Sequence, residues 1–275
     1  MSGAPSERFV EIGGPARGRA RCRIWEKGDG EPLFYLPGIG GLPRWTPALD
    51  RLAARRRVVA VSLPGFPGSS GHDQLDTHLD WIAATLELLD GAGLDGGDLV
   101  GVSLGATLAA EVAALGGSRV RSLVLAAPFG VFDPAEPTTD VFGQRAGEAP
   151  SYLCRDPGTF GALTAPPEGA DPVEWPILQA RAGEAAARLL WPLGDTGVRH
   201  RLHQVTCPTL VVWGDGDRIL PASYAKRFAS AVSGPAETAT IPDAGHLVDL
   251  DAPDAFAGRV LRFLGAASGS GAAGR

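Results

Sequence analysis

Leu99-Val100-Gly101-Val102-Ser103-Leu104-Gly105-Ala106 is the stretch from which the fold can be read. The apolar run Leu99 to Val102 has the character of a buried strand. The Ala- and Leu-rich spacing from Leu104 to Leu115 has that of a helix, so the chain must turn sharply at Ser103. A serine on such a turn projects its hydroxyl above the edge of a sheet. Its flanking glycines are required because side chains there would meet neighbouring backbone. The turn also leaves the first helical amides, beginning with that of Leu104, without partners inside the helix.

Outward from this corner the pattern repeats. Apolar runs bounded by Gly, Pro or Asp recur at Leu33 to Leu36, Val58 to Val61 and Leu123 to Ala126, and helical spacing separates them at Trp45 to Ala53 and Leu79 to Leu89. That alternation predicts a parallel sheet covered by helices. Arg8 to Ile12 and Arg21 to Trp25 precede it as weaker strands, joined too closely for a crossover helix and therefore expected to be antiparallel. After Ala127 the alternation stops. Residues 129–203 are rich in proline and aromatics, with a helical piece from Gly183 to Trp191, and read as an inserted, mainly helical cap. Strand character resumes at Pro208 to Trp213 and Glu237 to Ile241, and a helix is expected from Pro253 to Leu264. The expected division is a core first part over 1–128, the cap over 129–203, a core second part over 204–265 and a flexible tail over 266–275.

The composition fits one globular core: 275 residues, 44% of them hydrophobic. A formal charge of −6 gives no basic surface for a nucleic acid, so no nucleic-acid partner is expected. The dense basic run Arg55-Arg56-Arg57 reads as the solvated end of a helix. Three cysteines, Cys22, Cys154 and Cys207, lack the spacing of a disulfide framework or a zinc site. No stretch has the apolar length of a signal peptide or a membrane span, so a cytoplasmic chain with no membrane partner is expected.

Serine is a weak nucleophile at neutral pH and needs a base within hydrogen-bond reach. Of the five histidines, His72, His78, His200 and His203 stand in polar surroundings. His246 follows the last strand, which puts it at the same sheet edge as Ser103. An acid must then orient the imidazole. Gly214-Asp215-Gly216-Asp217 offers two carboxylates: Asp217 stands deep enough in its loop to turn back beneath the histidine, and Asp215 suits a turn brace. The order Ser103, Asp217, His246 matches one known triad order. Oxyanion donors are expected from the amide of Leu104 and, in Pro37-Gly38-Ile39-Gly40-Gly41, from that of Ile39, with Gly40 as the alternative.

These stretches together resemble the α/β-hydrolase superfamily in its serine-nucleophile branch, over nearly the whole chain. Leu36-Pro37-Gly38-Ile39-Gly40-Gly41 is similar to the family's oxyanion loop, Leu63-Pro64-Gly65-Phe66 to its next loop and Trp213 to Asp217 to its acid turn. Gly245-His246 with Asp251, Pro253 and Phe256 is similar to its carboxy-terminal signature. Pro37 replaces the usual His, and Ser62 the usual Asp. The resemblance implies an α/β-hydrolase fold, an eight-stranded and mostly parallel sheet, and a serine hydrolase acting on an ester or related acyl bond with no cofactor and no metal. Ser103 argues against relatives that use Asp at this corner. Leu247, where carbon–carbon bond hydrolases often carry Trp, lowers that option.

The substrate is expected to be a small, largely apolar molecule. Its pocket is expected at Gly38, Phe129, Phe132, Trp175, Trp191 and Leu247. Carbon–carbon bond hydrolysis, acyl transfer or cyclisation on the same residues, and a slow-turnover binding protein of the same fold, all stay open on the sequence. So does the oligomeric state.

Overall fold

The computed structural model describes residues 3–14, 18–145 and 147–271. Strands β1 (Ser6–Gly14) and β2 (Gly18–Lys27) form an antiparallel pair, and β2 runs antiparallel to β4 (Arg57–Val61). The remaining neighbours are parallel: β3 (Pro32–Leu36), β5 (Gly97–Val102), β6 (Val120–Ala126), β7 (Thr209–Gly214) and β8 (Ala236–Ile241). The eight-stranded order is β1-β2-β4-β3-β5-β6-β7-β8. Strands β3 to β7 are almost wholly buried because helices cover both faces, which is why they read as continuous apolar runs.

Capping residues fix where the helices begin. Helix α1 (Pro47–Ala53) starts with Thr46 as cap and Pro47 in its first turn. Helix α2 (His78–Ala92) opens on a capping box of Thr77 and Asp80 and ends at Gly93 in the left-handed conformation. Helix α3 (Leu104–Leu115) is buried along nearly its whole length, as the Ala-rich sequence requires for close packing on the sheet. The path from β3 through α1 to β4 leads one way along the sheet, and α2 then carries the chain back past β3 to β5. The strand order therefore reverses between β3 and β5, and a crevice opens at their carboxyl ends.

Between β6 and β7 lie α4 (Ala149–Leu153), α5 (Pro157–Thr164) and α6 (Glu174–Leu190). Helix α6 begins nine residues before the expected Gly183 because Asp171 accepts from the amides of Val173 and Glu174, and Pro176 falls in the first turn, where no donor is needed. Helix α7 (Tyr224–Ala231), which the sequence reading omits, buries Tyr224, Ala225 and Phe228 between β7 and β8. Helices α8 (Val248–Asp251) and α9 (Pro253–Gly271) close the chain. The flexible tail expected over 266–275 is thus corrected through Gly271, where the backbone is helical; residues 272–275 lie outside the described ones. Among the described residues no helix is long and apolar enough to cross a membrane.

Of the buried polar groupings in this core, two centre on Asp98 and Asp249. The expectation of a solvated Arg55 to Arg57 run fails at Arg56, which is buried and pairs at 3.0 Å with the buried Asp98. Arg121 donates to the same carboxylate through Nε and Nη2, at 3.0 and 2.9 Å. Asp249 accepts at 2.7 Å from the Tyr35 hydroxyl, and both residues are buried. Burial pushes the Asp249 carboxyl up to about 6; the Tyr35 bond opposes that rise and the charge of Asp251 adds to it.

Removing Asp98 takes from the buried Arg56 the carboxylate it pairs with. Asp98→Ala is therefore expected to lower the unfolding free energy in urea titration by about 3–5 kcal/mol. The Asp249 carboxyl behaves differently. Its folded value, about 6, lies above that of the unfolded chain, so between about pH 4 and about 6 the native state holds a proton the unfolded chain has released. Stability conferred by the protonated form is present below that window and falls by up to about 3 kcal/mol as pH rises through it. Asp249→Asn should flatten this part of the stability–pH curve, and an unchanged slope would contradict the assignment.

Candidate active site

In a parallel sheet all carboxyl ends share one edge, and four of them feed this site. The loop Pro37–Gly41 follows β3, Ser103 follows β5, Asp217 follows β7 and His246 follows β8. Ser103 has φ 54° and ψ −122°, a conformation L-residues adopt only when the surroundings impose it. The glycines explain how it is imposed. A Cβ on Gly105 would lie 2.4 Å from the carbonyl oxygens of Leu36 and Pro37, and one on Gly101 would lie 2.5 Å from the Gly105 oxygen. Helix α3 thus begins almost in contact with the end of β3, a separation only glycine allows.

Ser103, Asp217 and His246 meet in space. The Ser103 Oγ is 2.8 Å from His246 Nε2, and His246 Nδ1 is 3.0 Å from Asp217 Oδ2. A carboxylate only accepts, so Nδ1 carries the hydrogen and Nε2 is left to accept from the serine hydroxyl. Asp217 Oδ1 accepts from the amides of Ile219 and Leu220, at 2.8 and 3.0 Å, which fixes the carboxylate plane. Asp215, the other candidate acid, is exposed; its amide donates to Ile241 O and braces the turn. The Ser103 residue is 1% exposed and His246 0%, so the arrangement lies in a low-dielectric interior where its hydrogen bonds are strengthened.

The loop after β3 approaches from the other side. A Cβ on Gly38 would stand 3.4 Å from Ser103 Cβ and 2.6 Å from Leu247 Cδ2, which puts Gly38 between the serine and Leu247. The Gly41 amide donates to Gly38 O in a tight turn. Among the described residues the amides of Ile39, Gly40 and Leu104 have no protein acceptor, so each is free to meet an incoming oxygen. The chemistry this geometry permits is attack by the serine oxygen on a carbonyl.

The expected pocket residues divide. Phe129 is buried and meets the His246 ring edge-on, with centroids 5.3 Å apart, while Gly38 and Leu247 adjoin the serine as described. Trp175 is half-buried and its indole N–H donates to Thr164 O, tying the start of α6 to the end of α5. Trp191, at the end of α6, is 60% exposed, with no contact to the triad among the described residues. Phe132 is half-buried and outside the apolar cluster that includes Phe129.

Phe160 counts among the aromatics that the sequence places over the sheet edge, whereas the other neighbours were missed by sequence reasoning. Leu163 and Phe160 of α5 rest on Gly40, and Arg44 latches that helix by donating to Leu163 O and Ala165 O. The base-bearing loop is tied to the segment between β6 and β7: Leu247 N donates to Leu153 O, and Asp251 Oδ2 accepts from the amides of both Gly245 and Arg155 at 2.7 Å. Thr107 Oγ1 accepts from Phe129 N at 3.0 Å and lies 3.3 Å from Ser103 O, joining the elbow to the start of that segment. Asp251 carried a signal in the sequence through its place in the carboxy-terminal motif, and Phe160 through the aromatic content of the insertion.

Comparison with known proteins places this geometry. The model of the "Alpha/beta hydrolase family" matches residues 33–259. A "Dihydrolipoyllysine-residue acetyltransferase component of acetoin cleaving system" from Pseudomonas putida is 33% identical over 94% of this chain and 70% of its own length. A "2-hydroxymuconate semialdehyde hydrolase" from Pseudomonas sp. (strain CF600) is 26% identical over 89% of this chain and 90% of its own. The solved structure of a serine hydrolase involved in carbazole degradation superposes with TM-score 0.74 at 24% identity, covering 95% of this chain and 99% of that one, a likeness of fold. Sheet order, strand–turn–helix corner and the family match agree: the chain belongs to the alpha/beta hydrolase family.

Proposed function

We propose that this enzyme is a serine hydrolase of ester or related acyl bonds, with Ser103 as nucleophile, His246 as base and Asp217 as the residue that orients it. The observation that carries the reading is the unbroken chain of contacts from Ser103 Oγ through the His246 ring to Asp217 Oδ2, at 2.8 and 3.0 Å. Ser103 attacks the carbonyl carbon as Nε2 takes the hydroxyl proton. The amides of Ile39 and Leu104 hold the resulting oxyanion, each contributing on the order of 3 kcal/mol to the transition state. Collapse expels the alcohol, which receives the proton from His246. Water then repeats the sequence on the acyl-serine and releases the acid. Asp217 stabilises the imidazolium without accepting its proton.

The surroundings support a small, apolar acyl group. Phe129 stands against His246, Leu247 against Gly38, and Leu163 and Phe160 against Gly40, with residues 129–203 acting as the cap. A second reading, acyl transfer to an acceptor other than water, draws on two observations. One is the relative named an acetyltransferase component at 33% identity. The other is the near-complete burial of Ser103 and His246, which limits access by water.

A fluorophosphonate probe should label Ser103 of the folded protein, located by peptide mapping; labelling elsewhere, or none, would sink the proposal. Ser103→Ala should cut kcat for p-nitrophenyl butyrate by at least about 10⁴-fold. The choice of acid is tested by a pair of variants. Asp217→Asn should lose about 10³–10⁴-fold in kcat, and Asp215→Asn should stay within about threefold of the wild type. Adding an alcohol, amine or thiol then separates the two readings: hydrolysis predicts free acid as the main product, and transfer predicts that the acceptor captures most of the acyl group.

A further inference from the structure

Asp249 has no place in the chemistry proposed above, yet it stands three residues after the proposed base and is buried. Its Oδ2 accepts from Tyr35 at 2.7 Å across a sequence separation of 214 residues, and among the described residues its Oδ1 has no hydrogen-bond partner. Tyr35 belongs to the last turn of strand before the oxyanion loop: Leu36 and Pro37 follow it, and their carbonyls are the ones on which Gly105 packs. The pair borders a narrow cleft whose wall also includes Gly38, Gly40, Leu163 and Leu247. Its lining thus comes from the loop after β3 on one side and from the base-bearing segment on the other.

For stability alone this pair is a poor choice. A carboxyl in a core position must shed its hydration for a single side-chain bond, and an apolar pair of the same volume serves the fold as well or better. What the bond does supply is registration. Other bonds tie the base-bearing loop to the segment between β6 and β7, through Leu153 O and Arg155 N, to the turn after β7, through Gly216 N on Ala244 O and Asp217 on His246, and to itself, through Asp251 and Gly245. Tyr35 to Asp249 is a side-chain tie from that loop to the strand that carries the oxyanion loop. The acyl-transfer transition state needs the imidazole and the oxyanion donors held to a fraction of an ångström of each other.

We propose that Asp249, through its hydrogen bond to Tyr35, is a positioning residue that sets the His246 loop against the oxyanion loop. The proposal rests on the serine-hydrolase reading, and the test keeps the two apart. Asp249→Leu, Asp249→Asn and Tyr35→Phe are compared with the wild type in turnover of p-nitrophenyl butyrate, in rate of fluorophosphonate labelling and in thermal melting. Asp249→Leu and Tyr35→Phe are expected to lose about 10- to 100-fold in kcat with little change in KM, and to be labelled correspondingly slowly. Asp249→Asn, which can still accept from Tyr35, should recover at least about tenfold of the kcat that Leu loses. Asp249→Leu leaves the buried Tyr35 hydroxyl without its acceptor and should melt lower than the wild type, so all rates are measured well below its melting range and lost activity is separated from lost fold. The inference is overturned if Leu and Phe both keep kcat within about threefold of the wild type, or if Asn falls as far as Leu. If the wild type itself is not labelled at Ser103, the hydrolase reading fails first and this one falls with it.

Discussion

Everything at the site depends on how closely helix α3 begins to the end of strand β3. With a Cβ at Gly105 only 2.4 Å from two backbone carbonyls, the helix cannot start from any more relaxed path, and the chain must enter it through a left-handed residue. That residue is Ser103. The constraint therefore does two things at once: it lifts a hydroxyl clear of the sheet, and it brings the loop Pro37–Gly41 beside it. Strain at one residue is held by packing around it, since the elbow amide donates to Ala126 O and the elbow carbonyl accepts from Ala106 and Thr107.

Around that corner, polar groups are satisfied in a strict order. Asp217 has both oxygens engaged, one by backbone and one by imidazole, so the ring has a single orientation and a single tautomer. Asp251 receives two amides from different segments, both on Oδ2. Asp249 has one oxygen engaged, by a hydroxyl, and its titration is moved toward neutrality. A carboxylate braced by two amides and one held by a single hydroxyl thus stand two residues apart in α8. The second, with its hydroxyl partner, stabilises the fold less than an apolar pair would.

Much of this was legible in local sequence. Strand–turn–helix at residues 97–115, the strand ends and the resumption of the sheet after the insertion all follow from apolar runs and their punctuation, because parallel strands buried on both faces leave that signature. Asp217 was preferable to Asp215 because of loop depth alone, and the structure brings it, not Asp215, to His246. What stayed illegible depends on partners distant in sequence. Arg56 looks like its solvated neighbours until Asp98 is placed beside it, and nothing near Tyr35 announces Asp249. Aromatic residues in the insertion could be counted but not oriented: Phe129 reaches the imidazole, Trp175 braces a helix and Trp191 faces outward. The carboxy-terminal Gly, Ala and Ser run suggested a loose tail, yet the backbone stays helical through Gly271, beyond the apolar face that runs from Phe256 to Leu264.

The backbone ties between Leu153 or Arg155 and the loop around His246 have an architectural consequence. The insertion is not a separable hat set on a finished core, since two of its peptide groups form part of the seat on which the imidazole rests. Side chains over the cavity can be exchanged freely to reshape what enters. A graft of a whole foreign insertion, by contrast, must reproduce the path of the chain through residues 153–155, or the histidine loses its footing while the sheet beneath stays intact.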